Sequence, residues 1–201
     1  MTQTLLIIIV TAAISIYALN ERSIIGKLIM DPVLVKHGQY YRLLTNGFIH
    51  ANYNHLIFNM ITLYFFGRYM EGYFSYFGKS VFLIVYLLAI IVSSLPPFFK
   101  NINNQYYAAL GASGGVSAIL FAFIMLEPWS TIYVFIVPCP AIIYGVLFLF
   151  YEWYMGKRNV DNIGHDAHFF GALFGIVAIL VLDHEAISHF IEALKMPHFN
   201  V

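Results

Sequence analysis

The sequence predicts an all-α membrane protein, a single domain built as a bundle of six transmembrane helices. The first observation is composition, because 61% of the 201 residues are hydrophobic and only 10% are charged, which is too apolar for an ordinary soluble domain. The second is that the apolar residues fall into six segments bounded by polar residues or by Pro and Gly. These segments are approximately residues 4–19, 55–73, 81–99, 113–126, 132–154 and 167–182.

The first segment is predicted to be a retained transmembrane helix. It has neither the basic region nor the small-residue cleavage site of a signal peptide. A 35-residue connection, residues 20–54, follows it and holds several apolar residues. Such a connection is long for a bundle loop, so we expect it to pack on the membrane surface. After the last segment, the tail from Asp183 is predicted to form a short helix that ends before Pro197.

The fifth segment contains Pro138, Cys139 and Pro140, and these prolines are expected to break its helix once. Because the chain has one cysteine, an intrachain disulfide and a cysteine-based metal cluster are both excluded. The charges balance, with ten basic and ten acidic residues. A nucleic-acid partner therefore has no electrostatic support.

The starts of three helices are predicted to meet on one side of the membrane. In a chain with six spans, the second, fourth and sixth helices all begin on the same side, whichever way the protein is inserted. These starts carry His55, Ser113 and His168. Unpaired N–H groups and the positive end of the helix dipole favour negative charge at such termini. The sequence therefore predicts a site that suits a developing oxyanion.

Ser113 is expected to lie below the membrane surface. The fourth segment has 14 residues, which is roughly 21 Å of helix against a hydrocarbon core of about 30 Å. Non-helical backbone at that depth is tolerated only when it is buried in protein or lines a water-filled cavity. A hydrolase would need that water.

Ser113 and His168 are the candidate nucleophile and general base. A Ser hydroxyl becomes reactive when an adjacent base removes its proton, and neutral imidazole suits that role near neutral pH. Gly171 and Gly175 give the helix of His168 a GxxxG face, which permits close approach of a second helix. Asp166 is two residues from His168 and lies on another side of a helix. No other carboxylate is obviously placed as a third member, so we expect a Ser–His dyad.

Oxyanion donors are predicted beside this pair. His55 and Asn59 are spaced i, i+4 and share a face near the start of the second helix. Both side chains can donate hydrogen bonds. With the backbone N–H groups of Ala112 and Ser113, they could surround a tetrahedral intermediate.

In this combination and order, the motifs resemble those of the rhomboid intramembrane serine proteases. The resemblance runs from about Tyr41 to Gly175, which is most of the chain. The matching residues are Tyr41 and Arg42, where the family usually has Trp-Arg; His50, His55 and Asn59, in H-x4-H-x3-N; Glu71 in the second helix; Gly111, Ala112, Ser113 and Gly114, for GxSG; and Ala167, His168, Gly171 and Gly175.

The resemblance implies a rhomboid-like bundle that cleaves a peptide bond in or near a transmembrane segment. Ser113 would be the nucleophile, His168 the general base, and no cofactor or metal would be needed. The expected partners are transmembrane protein substrates and membrane lipid. The residues implied in oxyanion binding or structural support are His55, Asn59, Arg42, His50, Glu71, Gly111, Gly114, Gly171 and Gly175.

One position departs from the family pattern. Four residues after the nucleophile the family commonly has Tyr or Phe, which stacks on the catalytic His, whereas this chain has Ser117. The side chains that could substitute are Phe121, Phe169 and Phe170. The departure favours one alternative, a rhomboid-like protein that binds transmembrane helices without cleaving them.

Two other classes fit the sequence less well. A zinc metalloprotease is disfavoured because no H-E-x-x-H motif occurs and no carboxylate joins the His set. A transporter would more often show ionisable residues near the midplane or paired broken helices.

Two criteria disagree on membrane orientation. The basic residues on the side of the predicted site are Arg22, Lys27, Lys36, Arg42, Lys100, Lys157 and Arg158, against Arg68, Lys79 and Lys195 on the other side. Positive-inside counting thus predicts a cytoplasmic opening, whereas the resemblance implies an outward one. Four of the seven residues lie in the first loop, where a membrane-embedded fold could outweigh the count. We therefore expect a multi-pass protein of the bacterial inner membrane whose active site opens outward.

Overall fold

A computed structural model of the chain describes residues 1–134, 136–158 and 163–197, and these residues are mostly helical. The tail forms a helix that ends before Pro197, as predicted. The helices are α1 (Gln3–Asn20), α2 (Arg22–Leu28), α3 (Pro32–Lys36), α4 (Arg42–Thr45), α5 (Tyr53–Phe74), α6 (Val81–Lys100), α7 (Ser113–Leu126), α8 (Ala141–Arg158), α9 (His165–Leu182) and α10 (Ala186–Lys195).

Long helices lie at or near the predicted spans. Among the described residues, α1, α6 and α9 are long and apolar enough to cross a membrane, and α7 is a shorter apolar helix of 14 residues. The bounds of α7 are those predicted for the fourth segment. The mostly helical class is confirmed, with three candidate membrane spans among the described residues, while the count of six spans stays a prediction.

The prediction for the fifth segment was wrong. Its first part is a hairpin, in which β1 (Thr131–Val134) pairs antiparallel with β2 (Val137–Pro140), and the helix begins only at Ala141. Pro138 and Pro140 lack a backbone N–H and disfavour helical geometry in the residue before them. The two prolines therefore disfavour a helix in the second strand, and the helix begins directly after Pro140.

The centre of the bundle is α7, because every residue from Gly114 to Met125 is buried. Its closest neighbour is α9. A Cβ atom on Gly171 would lie 2.2 Å from the carbonyl oxygen of Gly114, and one on Gly175 would lie 2.0 Å from that of Ala118. The GxxxG face thus brings the two backbones into direct contact, as predicted.

The first loop is a folded layer that contains α2, α3, α4 and a 3-10 turn at Asn46–Phe48. Its organising residue is Arg42, of which only 4% is exposed. The Arg42 guanidinium donates to the carbonyl oxygens of Gly26 at 2.9 Å and Ile29 at 2.8 Å, and to Oε1 of Gln39 at 2.7 Å. Five fixed donors on one rigid group suit it to close several turns of chain together.

Glu71 supports the start of α1 from the last turn of α5. Its carboxylate accepts hydrogen bonds from Gln3 N–H at 2.7 Å and from the N–H and hydroxyl of Thr4 at 2.9 and 2.7 Å. The two N–H groups are donors that a helix N-terminus cannot satisfy within itself. The negative charge is also favourable at that end of the helix dipole.

We predict that Gly171→Ala destabilises the protein far more than Gly72→Ala. The new methyl group at residue 171 would meet backbone, which cannot rotate away, whereas nothing lies within 4 Å of the corresponding position at Gly72 in α5. Overpacking of this kind costs roughly 1–3 kcal/mol. Thermal unfolding in detergent measures the difference, and equal melting temperatures for the two variants would show that this contact does not set the stability.

Candidate active site

The segment that leads into Ser113 is held by the first loop. Ala109 and Met30 form an antiparallel bridge with N···O distances of 3.0 Å in both directions. Gly111 N–H donates to the carbonyl oxygen of Asn46 at 2.9 Å. These bonds satisfy irregular backbone that would otherwise be costly in an apolar environment.

Gly111 lets this segment pass beside the ring of His55. Its φ of +123° lies in a region that favours glycine. A Cβ atom there would lie 2.6 Å from Cε1 of His55. Conformation and space therefore both require glycine two residues before Ser113.

His50 is a fully buried link between three parts of the chain. Its Nε2 accepts from Ala112 N–H at 3.2 Å, so its Nδ1 carries the hydrogen and donates to the Ser15 hydroxyl at 2.8 Å. Ser15 in turn donates to the carbonyl oxygen of Phe48 at 2.8 Å. Burial, with a smaller contribution from the neighbouring His55, lowers the pKa of His50 to about 3. His50 is thus a neutral structural residue, consistent with a role in shaping the first loop.

The prediction that Ala112 N–H serves an oxyanion needs correction. Its hydrogen is directed at Nε2 of His50, 3.2 Å away. Ser113 N–H differs, because it belongs to the first residue of α7. The first N–H groups of a helix have no carbonyl partner within that helix.

Ser113 and His168 are brought together as a hydrogen-bonded pair. The Ser113 Oγ lies 2.7 Å from Nε2 of His168, which is in the first turn of α9. Gly171 and Gly114, whose backbones touch, are one turn beyond His168 and one residue beyond Ser113. The helix contact therefore determines the separation of the two side chains.

A carboxylate stands on the other side of His168, contrary to the expected dyad. Oε1 of Glu152, in α8, lies 3.1 Å from Nδ1 of His168, and Oε2 lies 2.5 Å from Nδ1 of His165. Only 4% of Glu152 is exposed. Asp166, the acidic residue nearest His168 in sequence, instead pairs with Lys100 at 2.7 Å. The expectation that no carboxylate joins the His set was therefore wrong.

Sequence reasoning missed Glu152 although a signal was available. The residue is an acidic side chain inside the predicted fifth span, and ionisable residues in such spans are functional candidates by default. Because Glu152 and His168 are 16 residues apart in sequence, no local motif indicated their contact.

The donor atoms of Glu152, His165 and His168 lie within 4.8 Å of one another, so this set could also hold a metal ion such as Zn²⁺.

The ring beside His168 comes from Phe148 of α8. The two ring centroids are 6.3 Å apart, with planes inclined by 31°, within the range of favourable aromatic contacts. Ser117 is buried and lines the cavity described below. The residues expected to supply this ring were Phe121, Phe169 and Phe170. Phe121 instead packs on Phe148, with ring centroids 5.5 Å apart. The sequence analysis did not predict that Phe148 would supply the ring.

A cavity of about 220 Å³ opens in front of the Ser113 hydroxyl. Asn59, nearly buried, donates one amide hydrogen to the carbonyl oxygen of His55 at 2.9 Å. A carboxamide has two hydrogens, so the second is left for a group in the cavity. The lining residues are His55, Phe58, Asn59, Thr62, Ser113, Val116, Ser117, Leu120, Tyr144, Phe148, Glu152 and His168.

Known proteins resemble the chain over this region. A family model described as the Rhomboid domain matches residues 37–184. RHOMBOID-like protein 12, mitochondrial, of Arabidopsis thaliana is 29% identical over 79% of the chain and 51% of its own length. Rhomboid-related protein 1 of Caenorhabditis elegans is 28% identical over 84% of the chain and 47% of its own length.

Rhomboid protease GluP of Bacillus subtilis (strain 168) is a further relative. It is 28% identical over 73% of the chain and 27% of its own length. The chain therefore spans about half or less of the length of these curated relatives.

We predict that His50 makes the protein less stable in acid. An unfolded His binds a proton near pH 6.5, whereas folded His50 does so only at about 3. Between these values the unfolded state holds the extra proton, so stability falls as pH falls, by about 1.4 kcal/mol per pH unit from this group.

The variant His50→Gln provides the comparison. Its neutral amide offers an acceptor and donors, as the His50 ring does, but it cannot titrate. We expect its melting temperature in detergent to fall less than that of wild type between about pH 7 and pH 4.5. Parallel curves for the two proteins would contradict a buried neutral His50.

Proposed function

The chain belongs to the rhomboid family of integral membrane proteins, and on this premise we propose that it is a serine endopeptidase that cleaves transmembrane segments. The observation that carries the proposal is the 2.7 Å contact between Ser113 Oγ and His168 Nε2 at the wall of an open cavity. A hydroxyl with a base at this distance has the geometry of an activated nucleophile.

The proposed reaction proceeds through an acyl-enzyme. Ser113 Oγ attacks the carbonyl carbon of the scissile peptide bond while its proton passes to Nε2 of His168. The tetrahedral intermediate then expels the amine, which takes the proton from His168 and leaves an ester on Ser113. Water attacks the ester by the same route, so that the carboxylate product leaves and Ser113 recovers its hydrogen.

The negative oxygen of the tetrahedral intermediate would be held by donors from two helices. His55 and Asn59 line the cavity from α5, and Ser113 N–H lies at the positive end of α7. Each such donor typically contributes about 100- to 1,000-fold to the rate. This set retains the predicted side chains and omits Ala112.

The proposed substrates are transmembrane proteins with locally unstable helices. A protease needs an extended stretch of backbone, and a stable helix hides its carbonyl groups in its own hydrogen bonds. The cavity offers mostly apolar walls beside a few polar groups, which suits a segment that comes from lipid. Helix-binding without cleavage is the alternative suggested by Ser117, and the Phe148 ring beside His168 weighs against it.

We predict that Ser113→Ala abolishes cleavage of a model transmembrane substrate and labelling by a serine-reactive phosphonate. The matched control is Ser117→Ala, which removes a hydroxyl one turn further along the same helix and in the same cavity. We expect the control to retain most of its activity because no step of the reaction uses that hydroxyl. Cleavage by the folded Ser113→Ala variant, or no labelling of folded wild type, would overturn the proposal.

We further propose that the protein lies in a bacterial inner membrane with the cavity opening outward. One of the seven basic residues that argue otherwise, Arg42, is buried among carbonyl oxygens of the first loop. We therefore give it less weight in the positive-inside count than a solvent-exposed loop residue.

A reporter fused after Val201 tests this orientation. We expect a phosphatase that is active only outside the cytoplasm to stay inactive there, and a cytoplasm-dependent fluorescent protein to fluoresce. The reverse pattern would place the cavity on the cytoplasmic side.

A further inference from the structure

We propose that Glu152 positions and polarises the base His168, and that His165 holds Glu152 in place, so that the site works as a Ser–His–Glu triad rather than a dyad. The inference rests on the proposed serine hydrolysis and assigns two further residues to it. Its basis is the continuous row of polar contacts described above, from Ser113 through His168 and Glu152 to His165.

The row fixes the tautomer of His168. For the Ser113 hydroxyl to give up its hydrogen, Nε2 of His168 must be the unprotonated nitrogen, so the hydrogen of a neutral ring must sit on Nδ1. At 3.1 Å, Oε1 of Glu152 is the acceptor for that hydrogen. Without an acceptor there, the other tautomer, which points a hydrogen at Ser113, is no longer disfavoured.

The Glu152 carboxylate also stabilises the positive charge that forms on His168 during the reaction. When His168 takes the proton from Ser113, the ring becomes an imidazolium next to a carboxylate that is almost fully buried. Electrostatic attraction is stronger in such an environment than in water. Because the ring is charged in the transition state and neutral before it, the interaction accelerates the chemical step rather than substrate binding.

Helix α8 supplies both supports of the base from one face. Tyr144, Phe148 and Glu152 are spaced by four residues and all line the cavity. Phe148 flanks the His168 ring, and Glu152 binds its far nitrogen. These contacts supply the support that an aromatic residue in place of Ser117 would give from α7.

His165 completes the arrangement from α9. It precedes His168 by three residues, so both rings face Glu152 from the same side of the helix. Its Nδ1 lies 2.5 Å from Oε2 and thereby leaves Oε1 for His168. The close approach of α8 is permitted by Gly156, where a Cβ atom would lie 2.7 Å from Oδ1 of Asp166.

The principal test is Glu152→Gln, which keeps the shape of the side chain and removes its charge. We expect kcat to fall roughly 100- to 10,000-fold with KM little changed, as for loss of a group that supports general-base catalysis. The rate of phosphonate labelling of Ser113 should fall in parallel. A merely structural residue would instead lower the melting temperature and leave kcat per folded molecule unchanged.

Asp166→Asn is the matched control, because it neutralises a carboxylate two residues from His168 that is engaged by Lys100. We expect it to retain activity, since a partly exposed ion pair contributes little. Full activity of folded Glu152→Gln, with Ser113→Ala inactive, would overturn the triad alone. Activity in Ser113→Ala would overturn the proposed function itself.

A double-mutant cycle tests the position of His165 in the row. We expect His165→Gln to lower kcat by about tenfold and to have no further effect in the Glu152→Gln background, because both changes act through one carboxylate. Independent effects of the two substitutions would overturn the proposal that His165 acts through Glu152. Loss of wild-type activity on treatment with EDTA, restored by Zn²⁺, would assign the three residues to a metal site instead.

Discussion

The direct contact between the backbones of α7 and α9 is the constraint on which the rest of this structure depends. Gly171 and Gly175 leave no side chain between the helices, and any Cβ atom there would overlap a carbonyl oxygen of α7. Because both helices start near this contact, their first-turn side chains are forced into reach of each other. The 2.7 Å separation of Ser113 and His168 is thus a property of helix packing.

The irregular backbone before Ser113 imposes a second requirement, because its polar groups need hydrogen-bond partners inside the protein. The first loop supplies them. The segment before Ser113 is irregular and leads into a helix whose residues are almost all buried. Three of its N–H groups are bonded to Met30, Asn46 and His50, all contributed by the loop. The Arg42 guanidinium donates hydrogen bonds to two carbonyl groups of that loop. A loop that looks peripheral in sequence is therefore the scaffold of Ser113.

The parts of the site that the sequence predicted are those set by local pattern and by the order of the helices. Polar residues and glycines marked the start of α7. Because alternate helices of a bundle begin on the same side of the membrane, Ser113, His55 and His168 were predicted to lie on one side. The hairpin at 131–140 was missed because a short apolar run does not by itself distinguish strand from helix. Glu152 and Phe148 were missed because their contact with His168 depends on how α8 docks, which no spacing in the sequence encodes. The partner of Ala112 N–H likewise depended on the path of the loop.

The placement of Glu152 and Phe148 on α8 also makes the surroundings of His168 depend on an outward-facing helix. The outer face of α8 is well exposed at Val146, Leu147 and Phe150, which suits contact with lipid, whereas α7 is enclosed by protein. The Glu152–His168 contact of 3.1 Å is already near the long end of the hydrogen-bond range. A displacement of α8 by about 1 Å would break that bond while Ser113 stayed in place. A shift of α8 would therefore change the contacts of the His168 ring before it changed the position of Ser113, which lies on the enclosed helix α7.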